Sequence, residues 1–170
     1  AALSHPNIVS IHEFGREGRI FYFIMEFVEG TTLRHRKPDA DQAVRLMIQV
    51  CDALEFAHKK GIVHRDIKPD NVLVDSDGRV RIADFGLAKL ADVKVSPLTQ
   101  TGEGLGTLRY MAPEQIDSPR DVDHRADLYS AGVMMYELLT GQIPMGRFEP
   151  PSRLSSTNPR LDAVVLKALS

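Results

Sequence analysis

The stretch from Asp127 to Leu139 is apolar on nearly every side. A helix of that kind cannot lie on a surface with a polar face toward water; it has to run through the middle of a domain. The rest of the chain is therefore read as the shell around it. Between Ala40 and Lys60, the residues Val44, Met47, Ile48, Cys51, Leu54 and His58 recur at helical spacing and predict an amphipathic helix ended by Gly61. On this reading Cys51 lies on the apolar face as a small core residue. Two runs rich in β-formers, Ile8 to Phe14 and Ile20 to Val28, flank Gly15 to Arg19 and predict a β-hairpin. Ile62 to Leu90 alternates short apolar runs with charged turns, including the hairpin-type turn Asp77-Gly78. Lys94 to Gly106 is polar and reads as an exposed loop, and Met145 to Pro159, with three prolines, as an irregular connection. Leu161 to Leu169 returns to helical spacing. A hairpin first and helices after define an α+β fold.

Composition narrows the class further. The chain has 170 residues, the size of one domain, with 43% hydrophobic and 26% charged residues, which suits a folded globular unit. A formal net charge of -2 gives no electrostatic case for a nucleic-acid or membrane-surface partner. The single cysteine rules out an internal disulfide and favours a reducing, cytoplasmic compartment. His5, His12, His35, His58 and His124 show no metal spacing, so no zinc site is expected. Ala1 to Pro6 has neither an initiator Met nor a signal-peptide pattern, and Leu161 to Ser170 reads as a helix in progress. Both ends suggest part of a longer protein, which could carry a membrane anchor of its own.

The chemistry concentrates in His64-Arg65-Asp66-Ile67-Lys68-Pro69-Asp70-Asn71. This one short segment brings together a carboxylate, an ammonium and a carboxamide. Asp84-Phe85-Gly86 follows one short hairpin later, and Gly106-Thr107-Leu108-Arg109-Tyr110-Met111-Ala112-Pro113-Glu114 closes the region. Together these segments resemble the catalytic loop, the magnesium-binding tripeptide and the end of the activation segment of protein kinases. The resemblance covers nearly the whole chain and is to the eukaryotic-like, bacterial-type Ser/Thr kinase catalytic domain. It implies a kinase-like α+β fold, with residues 1–28 as a remnant of the small lobe and 29–170 as a helical large lobe.

The family's roles carry over residue by residue. Asp66 would be the catalytic base, Lys68 the γ-phosphate contact, and Asn71 and Asp84 the Mg²⁺ ligands. Thr107 would bridge Asp66 and Lys68, a mark of Ser/Thr rather than Tyr specificity. Met25, Glu26 and Val28 resemble the hinge that receives adenine, with Met25 as gatekeeper and Leu73 as the pocket floor. Phe85 would pack under His64, and Asp127 would hold the catalytic-loop backbone. Arg65 implies control by activation-loop phosphate, with Thr99 and Thr101 as the expected sites. Glu114 is expected to lack its usual downstream arginine.

The cofactors implied are ATP and Mg²⁺. The partners implied are proteins bearing Ser or Thr acceptors, and a second copy of the kinase for autophosphorylation in trans. Neither Gly-x-Gly-x-x-Gly nor Val-Ala-x-Lys occurs in the chain, so negligible turnover is expected of these 170 residues alone. A pseudokinase or binding scaffold is the alternative, disfavoured by the intact Asp66, Asn71 and Asp84. A small-molecule phosphotransferase is disfavoured by the activation-segment residues Gly106 to Glu114.

Overall fold

The computed structural model describes residues 3–18, 20–85, 108–118 and 122–170. Around its centre runs α3 (Arg125–Thr140), and ten of its 16 residues are buried, from Ala126 to Leu139. The apolar surround expected of this helix is supplied by two others. One is α1 (Ala40–Lys59) and the other α5 (Arg160–Ala168). Against α5 the contact is close enough that a side chain on Gly132 would put its Cβ 2.8 Å from that of Ala168. Gly141 ends α3 in the left-handed conformation, φ 72°, and donates its N–H to the Glu137 carbonyl.

α1 begins at a capping box. Asp39 Oδ1 accepts from the Gln42 N–H at 2.7 Å, and the Gln42 side chain accepts from the Asp39 N–H. Its buried face differs from the one read in the sequence. Ala43, Leu46, Met47, Val50, Ala53, Leu54 and Ala57 are buried, whereas Ile48 and Cys51 are exposed. The three alanines let α1 approach its neighbours, a signal that a search for large apolar residues passes over. Cys51 is thus not a core residue.

Strands β1 (Ile11–Glu17) and β2 (Ile20–Met25) form the antiparallel hairpin, with Glu17 opposite Ile20. The turn is tighter than expected, because Gly15, Arg16 and Glu17 belong to the strand. Ile8 is not part of it. It bridges to Ile82 and is 1% exposed, joining the main core instead. The second sheet has the order β3–β4–β5, all antiparallel, from β3 (Gly30–Thr32), β4 (Val72–Asp75) and β5 (Val80–Ile82). Val72, Val74, Val80 and Ile82 point into the core, which leaves Leu73 and Arg81, opposite each other in register, on the other face. The Asp75 carboxylate closes the intervening turn by accepting the Asp77 and Arg79 N–H groups, with Gly78 at φ 78°.

Two short α-helices are also present among the described residues. They are α2 (Pro113–Asp117) and α4 (Pro151–Leu154), and the latter interrupts the stretch expected to be irregular. Ser152 donates from both its N–H and its hydroxyl to Asp162, which fastens α4 to α5. Among the described residues no helix is long and apolar enough to cross a membrane.

Candidate active site

Asp127, in the first turn of α3, is fully buried. A buried carboxylate has to be hydrogen-bonded, and this one accepts three times. The His64 N–H reaches Oδ2 at 2.8 Å, the Arg65 N–H reaches Oδ1 at 2.7 Å, and His58 Nε2 lies 2.7 Å from Oδ2. These bonds hold Arg65 at φ 69°, in the left-handed region that non-glycine residues avoid. From the other side, Gln115 of α2 donates its side-chain amide to the Arg65 carbonyl at 2.8 Å. The loop from His64 to Asn71 is thereby pinned from both sides.

Within the loop the functional side chains converge. Asp66 Oδ2 is 2.9 Å from Lys68 Nζ and 3.0 Å from Asn71 Nδ2. Asn71 Nδ2 also donates to the Asp66 carbonyl at 2.8 Å, which leaves the amide oxygen of Asn71 turned away from this pair. The Ala83 N–H donates to the Asn71 carbonyl at 2.9 Å, so the residue before Asp84 is tied to the loop. His64 Nδ1 accepts from the Asp66 N–H, and Nε2 lies 2.8 Å from the Ala83 carbonyl. That pattern fits a neutral imidazole with its proton on Nε2. The Phe85 ring meets His64 edge-on, with centroids 4.6 Å apart. Asp84 itself has φ 65°, a second left-handed residue in the same site. A carboxylate and a carboxamide oxygen are the donor types that a hard Mg²⁺ ion prefers, so Asp84 and Asn71 fit that ion.

The expected hinge residues lie at and just after the end of β2, where Glu26 pairs with Arg81 of β5. Met25 pairs with Ile11 at the end of β2. The Glu26 N–H donates to the Ser10 carbonyl at 2.9 Å, so Glu26 keeps only its carbonyl for a nucleotide base. Val28 and Leu73 are half-buried.

A second cluster was not foreseen from the sequence. Arg34 grips Asp70 with two nitrogens, at 3.0 and 3.4 Å, and reaches Glu137 of α3 at 3.0 Å. Its Nη2 also donates to the Tyr110 hydroxyl at 2.8 Å, and that hydroxyl donates to Glu137 at 2.5 Å. Partial burial works against the Arg34 charge, yet Asp70, Tyr110 and Glu137 outweigh it and hold the guanidinium well above its usual range. Burial pushes the Tyr110 phenol up, reinforced by its bond to Glu137. For Asp70, burial is again overcome by Arg34, and the carboxyl is held below its usual range. The cluster ties the catalytic loop, the residues before α2 and the central helix together.

Glu114 is half-buried at the rim of an apolar groove of about 1350 Å³, lined by Met47, Ile48, Cys51, Leu128 and Met135 among others. Among the ion pairs of the described residues none involves Glu114. Partial enclosure, and then the neighbouring Asp52, push the Cys51 thiol up, away from a reactive thiolate. Thr99, Thr101 and Thr107 lie outside the described residues.

This fold and loop geometry find their counterparts among known proteins. The family model for the protein kinase domain matches residues 1–159, and the chain belongs to that family. Bacterial kinases are among its relatives. The chain is 40% identical over 195 residues to serine/threonine-protein kinase PknB of Mycolicibacterium smegmatis, covering 100% of this chain and 31% of that protein. To PknL of Mycobacterium tuberculosis it is 42% identical over 173 residues, covering 99% of the chain and 42% of the relative. The chain thus spans less than half the length of these relatives. A crystal structure of the Mycobacterium tuberculosis PknI kinase domain, a double mutant, superposes with a TM-score of 0.75 at 28% identity, covering 99% of this chain and 64% of that one. The α+β, kinase-like fold expected from the sequence is the fold observed.

Proposed function

We propose that the protein containing this chain transfers the γ-phosphate of ATP to Ser or Thr hydroxyls of proteins. The observation that supports this most is the Asp66 carboxylate, held by Lys68 and Asn71 on a loop that Asp127 fixes by two main-chain bonds. In the reaction the acceptor oxygen forms a bond to the γ-phosphorus, the bond to the bridging oxygen breaks, and ADP leaves. Asp66 orients the hydroxyl and takes its proton. Lys68, 2.9 Å from Asp66, is within reach of the transferring group's negative charge. Asn71 and Asp84 would hold Mg²⁺, whose charge neutralises the phosphates. Thr107 joins Asp66 and Lys68 in this reading. The glutamate carbonyl of Glu26 and the main chain of Val28 meet the adenine edge, Met25 guards its inner end, and Leu73 forms the floor.

Regulation belongs to the same reading. Phosphate on Thr99 and Thr101, added in trans by a second copy, would be gripped by Arg65.

The test is phosphate transfer from labelled ATP to a generic protein substrate by the full-length protein. Asp66→Asn is expected to lower kcat by about 10² to 10⁴-fold while leaving ATP binding intact. Equal turnover by that variant would overturn the reading. The 170-residue chain alone, lacking Gly-x-Gly-x-x-Gly and Val-Ala-x-Lys, is expected to show negligible turnover in the same assay.

A further inference from the structure

We propose that the Arg81–Glu26 ion pair is a positioning strut for nucleotide binding, tying the hinge to the strand that leads into Asp84. The proposal rests on the kinase reading above. Arg81 is in β5, and its neighbours Val80 and Ile82 point into the core, so its own side chain leaves from the opposite face, beside Leu73. There its two terminal nitrogens meet the two oxygens of Glu26, Nη2 to Oε1 at 3.2 Å and Nη1 to Oε2 at 3.5 Å. Oε2 also accepts the Ser10 N–H at 3.3 Å, and the Glu26 N–H returns a bond to the Ser10 carbonyl at 2.9 Å. One carboxylate is thus engaged from two separate segments.

Three other ion pairs among the described residues lack this character. Lys59–Glu55, Arg79–Asp77 and Arg153–Glu149 join close neighbours in sequence, and every side chain in them is more than half exposed. Pairs of that kind contribute little. Arg81 and Glu26 are 23% and 29% exposed and stand 55 residues apart in the chain. Water screens such a pair less, and it fixes a long-range distance.

That distance matters for a ligand gripped at both ends. The base is held by main-chain groups of the hinge, and the phosphates are held through Asp84. β5 runs directly into Asp84, so the strut sets the span between the two grips. A binding site that already has the right span spends less free energy on ordering when the ligand arrives. Arg81 acts through Glu26 and β5 rather than on the nucleotide, which makes it a positioning residue.

Steady-state kinetics and Mg-ADP calorimetry on the full-length protein test the strut. Arg81→Met, which keeps an unbranched stem and removes the charge, is expected to raise the KM for ATP and the Kd for Mg-ADP about fivefold. The kcat and the peptide KM are expected to move less than twofold. Arg81→Lys should recover most of the loss, and adding Glu26→Gln to Arg81→Met should cost little more, because the two changes break one interaction. The exposed Lys59→Gln is the control and should change nothing. The strut is overturned if the ATP KM of Arg81→Met stays within twofold of wild type, or if kcat and peptide KM fall as much as nucleotide affinity. It is also overturned if Arg81→Lys is as damaging as Arg81→Met, or if the double variant shows additive losses. Should Arg81→Met not fold, Arg81→Gln against Lys59→Gln decides: unchanged nucleotide affinity in Arg81→Gln overturns the strut. A wild-type protein that transfers no phosphate overturns the kinase reading itself, a different failure.

Discussion

The loop from His64 to Asn71 and the hairpin of β1 and β2 are both short pieces of polypeptide, yet they are held in opposite ways. Three polar anchors of the loop are buried: Asp127 is fully enclosed, His64 is 1% exposed and Asn71 8%. The hairpin has a ladder interrupted only by a register shift between Ile11 and Glu13, but little cover. Phe14, Phe21 and Ile24 are each about half exposed, and Ile20 is 71% exposed. Its aromatic rings rest mainly on one another, Phe14 against Phe23 at 4.9 Å and Phe21 at 5.9 Å. Backbone hydrogen bonds alone do not make a segment stable; they need enclosure that keeps water from competing. The hairpin is joined to the larger body mainly through residues 7–10, where Val9 and Asn7 exchange main-chain bonds with Ile82 and Ser10 meets Glu26.

The sharpest way to break this contrast is to remove its central carboxylate. Asp127→Ala leaves two loop N–H groups and His58 without a buried acceptor and should cost about 3–5 kcal/mol in urea unfolding, with loss of activity in the full-length protein. Next comes a pair of truncations that compares the regions directly. Ile8→Ala, in the core, should cost about 2–4 kcal/mol, whereas Phe21→Ser, on the hairpin, should change global stability by less than about 0.5 kcal/mol. Amide exchange on the same samples should show β1 and β2 opening well before α3. Tyr110→Phe removes a hydroxyl from between Arg34 and Glu137 and should cost about 1–2 kcal/mol, read in the same unfolding assay. The smallest effect is pH-dependent. Because Asp70 has its pKa lowered in the folded state, its contribution is present above the unfolded carboxylate value near 4 and is lost as pH falls below it. Wild type should therefore lose a little more stability between about pH 5 and 3 than Asp70→Asn does.

The parts of the fold that were legible in sequence are those where one residue type dominates an environment. The run from Asp127 to Leu139 could only be an enclosed helix, and the order His64 to Asn71 carried the family resemblance openly. Where small residues made the contact, the pattern misled: Ala43, Ala53 and Ala57 turned α1 so that Ile48 and Cys51 face outward. His58 looked like an ordinary face residue because its partner Asp127 is 69 positions away. Arg34 was silent for the same reason, since Asp70, Tyr110 and Glu137 come from three distant segments. Long-range polar pairs leave no periodicity, and only the folded chain reveals them. The hairpin ends were blurred because Gly15, which reads as a turn residue, is accommodated within β1 opposite Tyr22.

Arg65 and Asp84, both left-handed, have a consequence for how such a sequence can change over generations. Each conformation costs about 1 kcal/mol relative to glycine, which adopts it freely. Glycine at position 84 would relax the backbone and delete the carboxylate in a single step. Selection for thermal robustness alone would therefore drift toward a sturdier, silent protein, and only continuous demand for turnover keeps the less comfortable residues in place.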